Sequence, residues 1–497
     1  MKKFNLSTLF LSAAMISTLS SCSSDDNGPI DNNDDISEEL PFLFNGTDIG
    51  NGDQEFEIKG KYTLPKGTYN LKGWCYITEG SELTIEPGTI IKGDKETKAS
   101  LIVEPGGKLY AQGTAKAPIV FTSEAAPGER RPGDWGGLII CGNAVNNKVK
   151  QQIEGGPRTE HGGTNNDDNS GILSYVRVEF AGFPFKTDQE INGITFGSVG
   201  RKTQIDHVQV SYSNDDSFEW FGGCVDAKYL VAYHGWDDDF DTDNGFSGKL
   251  QYLLAVRNPK IADTSLSNGF ESDNNSTAGT ENPYTSCVFS NVTIVGPYGQ
   301  DANFVNNSDY INAGEMNPQN GSKSGVFQSA MQVRRNSHLS CFNSVAIGYP
   351  VGLMIENDKG GKGQTAALDG ELVMKGLVFA EMDIIGSDVN KTWKDIYSVD
   401  AGTTYDETQV SFSHQFFLNQ GNRYFESISD LKFKQPNSLE ANMNFGPMSG
   451  SPLLSGADFS HNKLDGFDKV SYIGAFSSEN DTWMESWTNF DPQNTAY

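Results

Sequence analysis

The chain has 497 residues, 65 of them acidic and 37 basic, for a net charge of −28. That excess of carboxylate excludes nucleic acid as a partner, because phosphate recognition needs patches of Lys and Arg. With 54 glycines and abundant Asn and Asp, the composition favours a turn-rich β protein over a helical one.

The chain starts Met1-Lys2-Lys3 and continues with an apolar run over residues 4–19, the pattern of a secretory signal. The run is too short and too rich in Ser to read as a membrane span. It ends in Leu19-Ser20-Ser21-Cys22, which is similar to the lipobox of bacterial lipoproteins. The resemblance implies cleavage before Cys22 and acylation of its thiol, so the expected signal peptide is 1–21. Ser23-Ser24-Asp25-Asp26 and an Asn/Asp-rich run to Asp35 come next. This polar stretch cannot bury enough surface to fold, so 22–40 reads as a flexible tether. It also resembles the acidic sequence that sends some lipoproteins to the outer face of the outer membrane. The expectation is a protein anchored in that membrane through Cys22 and exposed at the cell surface. Five cysteines remain: Cys75, Cys141, Cys224, Cys287 and Cys341. They show no CxxC spacing, and an odd number leaves at least one unpaired, so most are expected to pack in the core.

Internal repeats set the architecture. Ile85-Glu86-Pro87-Gly88 recurs eighteen positions later as Val103-Glu104-Pro105-Gly106, among short alternating strands and Pro-Gly turns. Asn214-Asp215-Asp216-Ser217-Phe218-Glu219 recurs twenty-two positions later as Trp236-Asp237-Asp238-Asp239-Phe240-Asp241, with Val208-Gln209-Val210 matching Leu230-Val231-Ala232 before it. Ile194-Thr195-Phe196-Gly197 precedes the set; Phe270-Glu271, Met331-Gln332-Val333-Arg334 and Leu353-Met354-Ile355-Glu356 follow it. One coil per repeat explains a constant spacing better than hairpins do. The prediction is an all-β, right-handed parallel β-helix, a solenoid over 41–385. Residues 386–497 lose the repeat and are rich in aromatics, including Trp483 and Trp487. They read as a C-terminal cap over the open end of the core.

A resemblance rests on three segments and on the Asp-Asp-Ser-Phe-Glu coil. The segments are Gly80-Ser81-Glu82-Leu83-Thr84-Ile85-Glu86-Pro87-Gly88-Thr89, Pro118-Ile119-Val120-Phe121-Thr122-Ser123 and Gly133-Asp134-Trp135-Gly136-Gly137. Together they resemble a family of bacterial surface lipoproteins with a right-handed parallel β-helix of the pectate-lyase-like superfold. The likeness spans roughly 45–385 and speaks for architecture more than activity.

Chemistry is concentrated on the acidic coils. Side chains alternate along a strand, so inward Phe218 and Phe240 put Glu219 and Asp241 outward, with Ser217 and Asp239 also facing out. Phe270 with Glu271, and Ile355 with Glu356, are expected to continue that column. Neighbouring coils lie ~4.8 Å apart, so carboxylates stack and repel. One acid can stay protonated, Arg334 or Arg335 can interleave, or Ca²⁺ can bridge. Asp237, Asp238, Asp239, Asp241 and Asp243, with Asn244, are the candidate Ca²⁺ ligands, although EF-hand spacing is absent. Trp236 is the candidate sugar contact, with Arg334 and Arg335 beside it; Trp220 is expected to point inward. An enzyme reading takes Asp216, Asp238, Asp241 and Glu219 as acid or nucleophile, at the spacing of a retaining glycosidase, with His234 as base. The resemblance implies a comparison with Asp-rich β-helix lyases and polygalacturonases, but the chain has no Gly-His-Gly segment and no Arg-x-Lys triplet on the following coil. Arg130-Arg131, in a Pro/Gly loop, reads as a solvated turn.

Three readings follow. The favoured one is a surface binding or accessory lipoprotein in nutrient capture, with a glycan ligand, working beside a TonB-dependent outer-membrane transporter. The others are a Ca²⁺-dependent polysaccharide lyase or glycoside hydrolase, and a structural or adhesive surface protein.

Overall fold

The computed structural model describes residues 40–153, 158–186, 189–301, 303–313, 325–357, 359–398, 405–437 and 443–497. Cys22, the signal and the tether up to residue 39 lie outside them.

Eleven strands stack in parallel into one face of the solenoid, here called the acidic sheet. They run from Phe56–Ile58 through Gly137–Cys141, Ile194–Val199, Phe218–Gly223, Phe240–Asp243, Phe270–Ser272 and Ser329–Val333 to Ile384–Ser387. Ile194, Phe218, Phe240, Phe270, Met331 and Leu353 occupy one register position on successive coils. Their side chains enter the core, where identical positions recur one above another and rings stack. Phe218 lies 5.7 Å from Phe240, and Trp220 lies 5.5 Å from both Phe196 and Phe246. Trp220 therefore points inward, as alternation requires. Each such ring pair adds about 0.5–1.5 kcal/mol beyond its buried area.

The second large sheet is built from long strands that turn a corner, such as Gly171–Glu179, Gln204–Ser211, Ala227–Tyr233 and Lys249–Val256. Val208, Gln209 and Val210 pair with Leu230, Val231 and Ala232, the register that the twenty-two-residue repeat specifies. The corner residue has a left-handed backbone on six successive coils: Tyr175 (φ 52°), His207 (51°), Tyr229 (58°), Tyr252 (63°), Asn291 (56°) and Asn343 (49°). That conformation costs a non-glycine residue roughly 1–2 kcal/mol. It also breaks the alternation, so two consecutive side chains point away from the core, and the second of them is free to meet whatever covers the sheet.

Two expectations need correction. Ile85 pairs with Leu64 and Ala111, whereas Val103 pairs with Ile77 and Ile140 in the other sheet. The eighteen-residue spacing thus runs from one sheet to the next and does not measure a full coil. The coil strands also do not end at 385. Arg423–Phe425 still pairs in parallel with Val378–Ala380, and helix Phe412–Asn419 closes the end, with Phe417 buried and stacked on Phe379 at 4.3 Å. The insertion between Ile384–Ser387 and this helix hides the last coil from a search for fixed spacing.

The remaining C-terminal residues form a lateral strap that runs back along the cornered sheet. Gly474 N donates to Asn343 O, Ala475 N to Thr293 Oγ1, and Asn489 N to Gln209 Oε1; Gly128 N donates to Gln493 O. The corner column meets it directly. Trp487 lies 6.1 Å from Tyr175 and 5.6 Å from His207, Trp483 lies 5.5 Å from Tyr229, and the amides of Asn291 and Asn343 donate to Tyr472 O and Asp458 O. Arg130 is not a solvated turn residue: it is buried, with Nη1 donating to Pro492 O of the strap. All five described cysteines are free thiols, and four of them are buried.

Candidate functional site: stacked carboxylates on the acidic sheet

Outward positions of the acidic sheet align as strictly as the inward ones. Glu219, Asp241 and Glu271 are successive members of one column, which continues as Gln332 and Met354. Two residues further along each strand, Asp243, Asp273 and Arg334 follow the aligned residues Thr242, Ser272 and Val333. The turn before the strands supplies Asp215, Asp216, Asp237 and Asp238.

The turn acids differ in role. Asp216 Oδ1 accepts a hydrogen bond from Asp238 N at 2.8 Å, Asp238 Oδ1 accepts from Asn268 N, and Asn268 Oδ1 accepts from Ser329 N at 3.0 Å. One side chain per coil thus binds the backbone of the next, a ladder that fixes the turns above one another. Asp216 faces two groups at once. It converges with Asp215 and Asp237, and separately with Glu219 and Asp241, with one oxygen of each residue in a set within 4.8 Å of the others. Asp241 is the most open of the second set; Asp216 and Glu219 are buried, and Glu219 accepts from Asn192 Nδ2.

Two unit negative charges at that separation repel by roughly 3 kcal/mol at an effective dielectric of 20. Burial and this repulsion together hold a set of carboxyls above the usual range. Burial is the largest cause at Asp216, with Asp215 and Asp237 next; at Asp241 burial is followed by Asp216 and Glu271. Burial and Asp263 push Asp237 up to about 8, and burial and Asp273 push Asp243 up to about 8. Asp238 is raised likewise, by burial and then Asp237. At one edge the charge is compensated. Arg334 pairs with Glu271 and, at 2.8 Å, with Asp273, and Arg335 Nη1 reaches Asp273 Oδ2 at 2.6 Å. Both arginines are thereby committed to acids of the adjacent coil.

The profile of the pectate-lyase like beta helix domain matches residues 56–417. The chain belongs to that family. No curated protein and no solved structure matches it. The family match covers the acidic coils and most of both large sheets, ends within the closing helix, and stops short of the strap.

Within this β-helix domain several residues singled out from the sequence stand away from the cluster. Asp239 does not face out: it is fully buried in an ion pair with Arg257 Nε at 3.0 Å, so it is no candidate ligand. Trp236 is 1% exposed and offers no face to a sugar. His234 is buried, stacks on Tyr233 at 3.7 Å and has Nδ1 3.1 Å from Tyr212 Oη. Burial pushes its imidazole down to about 3, and its partners lie along the cornered sheet, so it is not a base for these acids. The physical reason is common to all three residues. They precede the strand, where alternation does not operate and the chain is crossing between sheets. Glu356 does not continue the acid column either; Leu353, not Ile355, aligns with Phe270, and Glu356 Oε2 accepts from Gln332 Nε2 at 3.2 Å.

Sequence reasoning passed over Asp273 and Asn192. Asp273 was legible, since Phe270-Glu271-Ser272-Asp273 repeats the alternation of Phe240-Asp241-Thr242-Asp243. Asn192 carried no signal, because it reaches Glu219 from a different coil.

Proposed function

We propose that this β-helix domain is a surface-displayed binding module that holds a Ca²⁺ ion on its acidic sheet and, through the ion, an acidic glycan. One observation carries the reading: Asp216, Glu219 and Asp241 each bring a carboxylate oxygen to within 4.8 Å of the others. Oxygens around a single Ca²⁺ at 2.3–2.6 Å lie up to ~5 Å apart, so one ion fits all three. Asp215 and Asp237 extend the oxygen set. Bound Ca²⁺ would offset the mutual repulsion of these carboxylates, and its open positions would accept carboxylate or hydroxyl oxygens of a ligand.

Binding is favoured over cleavage because the bases singled out from the sequence are engaged elsewhere among the described residues. His234 is buried among the rings of the other sheet, and Arg334 and Arg335 are held in ion pairs. The surface location rests on the Leu19-Ser20-Ser21-Cys22 segment. Labelling with a palmitate analogue, lost in Cys22→Ser, supports it; equal labelling of both proteins overturns it. A TonB-dependent transporter is the partner such a module would serve, and cross-linking on intact cells tests that.

Calcium titration by calorimetry at pH 8 tests the site, with Asp241→Asn as the control. Saturable binding that the variant loses supports the reading, and absence of heat in the parent chain overturns it. Incubation with a panel of acidic polysaccharides, with and without Ca²⁺, separates binding from cleavage: Ca²⁺-dependent retention of intact polymer supports a binding module, and shortened or unsaturated products make it a lyase or hydrolase.

A further inference from the structure

We propose that a cavity closed by the strap at Lys463 is a binding site for a small oxyanion, a carboxylate or phosphate group. It contains none of the stacked acids and does not depend on the cation proposed for them.

The cavity lies where the strap crosses the starts of three successive strands of the cornered sheet. Strand Val288–Val295 pairs with Ser340–Phe342, and that strand pairs with Met374–Lys375. The residues just ahead of these strands, Tyr284 and Ser286, then His338, then Glu371, form one side. They are tied together: His338 N donates to Thr285 O, the Tyr284 and His338 rings stack at 4.2 Å, and His338 Nδ1 is 3.3 Å from Glu371. The strap supplies the other side as the single turn Asn462–Leu464. Leu464 is fully buried among Val288, Phe342, Val373 and Phe467, which pins the turn in place. The cavity measures 610 Å³, within the range of about 300–1,000 Å³ typical of small-molecule sites.

Lys463 carries the assignment. It lines the cavity and is half-buried, and no acid or hydrogen-bond acceptor among the described residues reaches its ammonium. Other lysines along the strap are compensated: Lys228 by Asp468 at 2.7 Å, Lys375 by Asp458 at 3.1 Å, and Lys249 by Asp465 O and the Phe467 ring. A partly desolvated ammonium without a counter-charge is an unfavourable arrangement, and burial draws its pKa down. Its charge also reaches both histidines of the cavity. Burial lowers the pKa of His461 and of His338, and Lys463 lowers each further.

The groups around Lys463 supply further donors. His461 Nδ1 accepts from Lys463 N at 3.2 Å, which leaves the proton of the neutral ring on Nε2. The hydroxyls of Tyr284 and Ser286 and the amide of Asn462 line the same space. The single acid of the lining, Glu371, is well exposed and is taken by His338. A cation is repelled by Lys463, and a neutral ligand leaves its charge unanswered. An oxyanion accepts from the ammonium, from Nε2 and from the hydroxyls at once, and hydrogen bonds of this charged kind are the strong ones.

Two sources carry this chemistry, a free inorganic anion and the acid group of a sugar, and the probes separate them. The full chain in EDTA is trace-labelled with acetic anhydride at pH 8, alone or with inorganic phosphate, D-glucuronate or D-glucose. Acetylation of Lys463 is read by peptide mass spectrometry against that of exposed Lys59. An anion at about ten times its dissociation constant should slow Lys463 about tenfold, with Lys59 unchanged and glucose without effect. Protection at lower concentration by glucuronate assigns the oxyanion to an acidic sugar; protection at lower concentration by phosphate assigns it to a free anion. Calorimetry should show the same order of affinity, weakened about tenfold or more in Lys463→Met and kept in Lys463→Arg and Asp241→Asn. The proposal is overturned if neither anion protects Lys463 at millimolar concentration, if glucose protects it equally, or if binding persists in Lys463→Met.

Discussion

The two large sheets apply the same device to opposite chemistry. On the cornered sheet the outward column is aromatic: Tyr175, His207 and Tyr229 stack at 4.3 and 4.5 Å, and Tyr252 follows at 5.0 Å. On the acidic sheet the outward column is Glu219, Asp241 and Glu271. A solenoid places each residue above its own counterpart, so it amplifies whatever a side chain does to its like. Rings attract and build a surface that the strap covers with Trp483, Trp487 and Tyr472. Carboxylates repel and build a surface that is incomplete without a proton, an arginine or a metal ion. The first column stabilises the fold and the second is available for function.

The strongest way to break this contrast is to remove the cover from the aromatic side. Trp487 is fully buried, rests on Tyr175 and His207, and accepts at its carbonyl from Arg177. Trp487→Ala should cost about 3–5 kcal/mol, read as a lower urea midpoint. A loss below ~1 kcal/mol would mean that the strap is only draped over the sheet.

On the acidic side, Ca²⁺ at a hundred times its dissociation constant should stabilise the chain by about 2.7 kcal/mol, seen as a rise in Tm when EDTA-treated protein is recalcified. Asp241→Asn should abolish that rise while leaving the metal-free Tm equal or higher, since it removes a repelling charge. An identical rise in the variant would place the ion elsewhere.

The pH dependence of metal-free protein sharpens the same point. Asp237 and Asp243 titrate near 8 when folded, against about 4 for a free carboxyl. Between those values the folded state holds protons that the unfolded state has released, so stability must fall as pH rises from 4 towards 8. Thermal unfolding in EDTA at pH 5.5 and 8 should show the lower Tm at pH 8, and Ca²⁺ should reduce the difference. Equal melting at both pH values without metal would show that the cluster is not under charge stress.

The smallest effect is expected where the strap is held by charge at its exposed margin. Lys375 pairs with Asp458 at 3.1 Å, both close to half exposed. Lys375→Ala should change stability by about 0–1 kcal/mol, in contrast to Trp487→Ala. A larger loss would mean that exposed ion pairs, and not the buried rings, fasten the strap.

The sequence by itself determined the coil and its contents. A spacing of twenty-two residues, with period-two alternation inside it, fixed the pairing of Phe218 with Phe240 and of Glu219 with Asp241, and the inward direction of Trp220. These are local properties, because adjacent coils repeat one backbone geometry and the chain writes it out twice. Tertiary structure alone decided where the repeat is interrupted. Asp239, Trp236 and His234 lie in the crossing between sheets, where partners such as Arg257 and Tyr212 come from other coils. The strap joins residues such as Arg177 and Trp487 that are hundreds of positions apart. His161 is buried because an excursion of the chain folds back onto Gly197 and Ser198. Contacts between segments that share no period leave no pattern in either segment, and only folding brings them together.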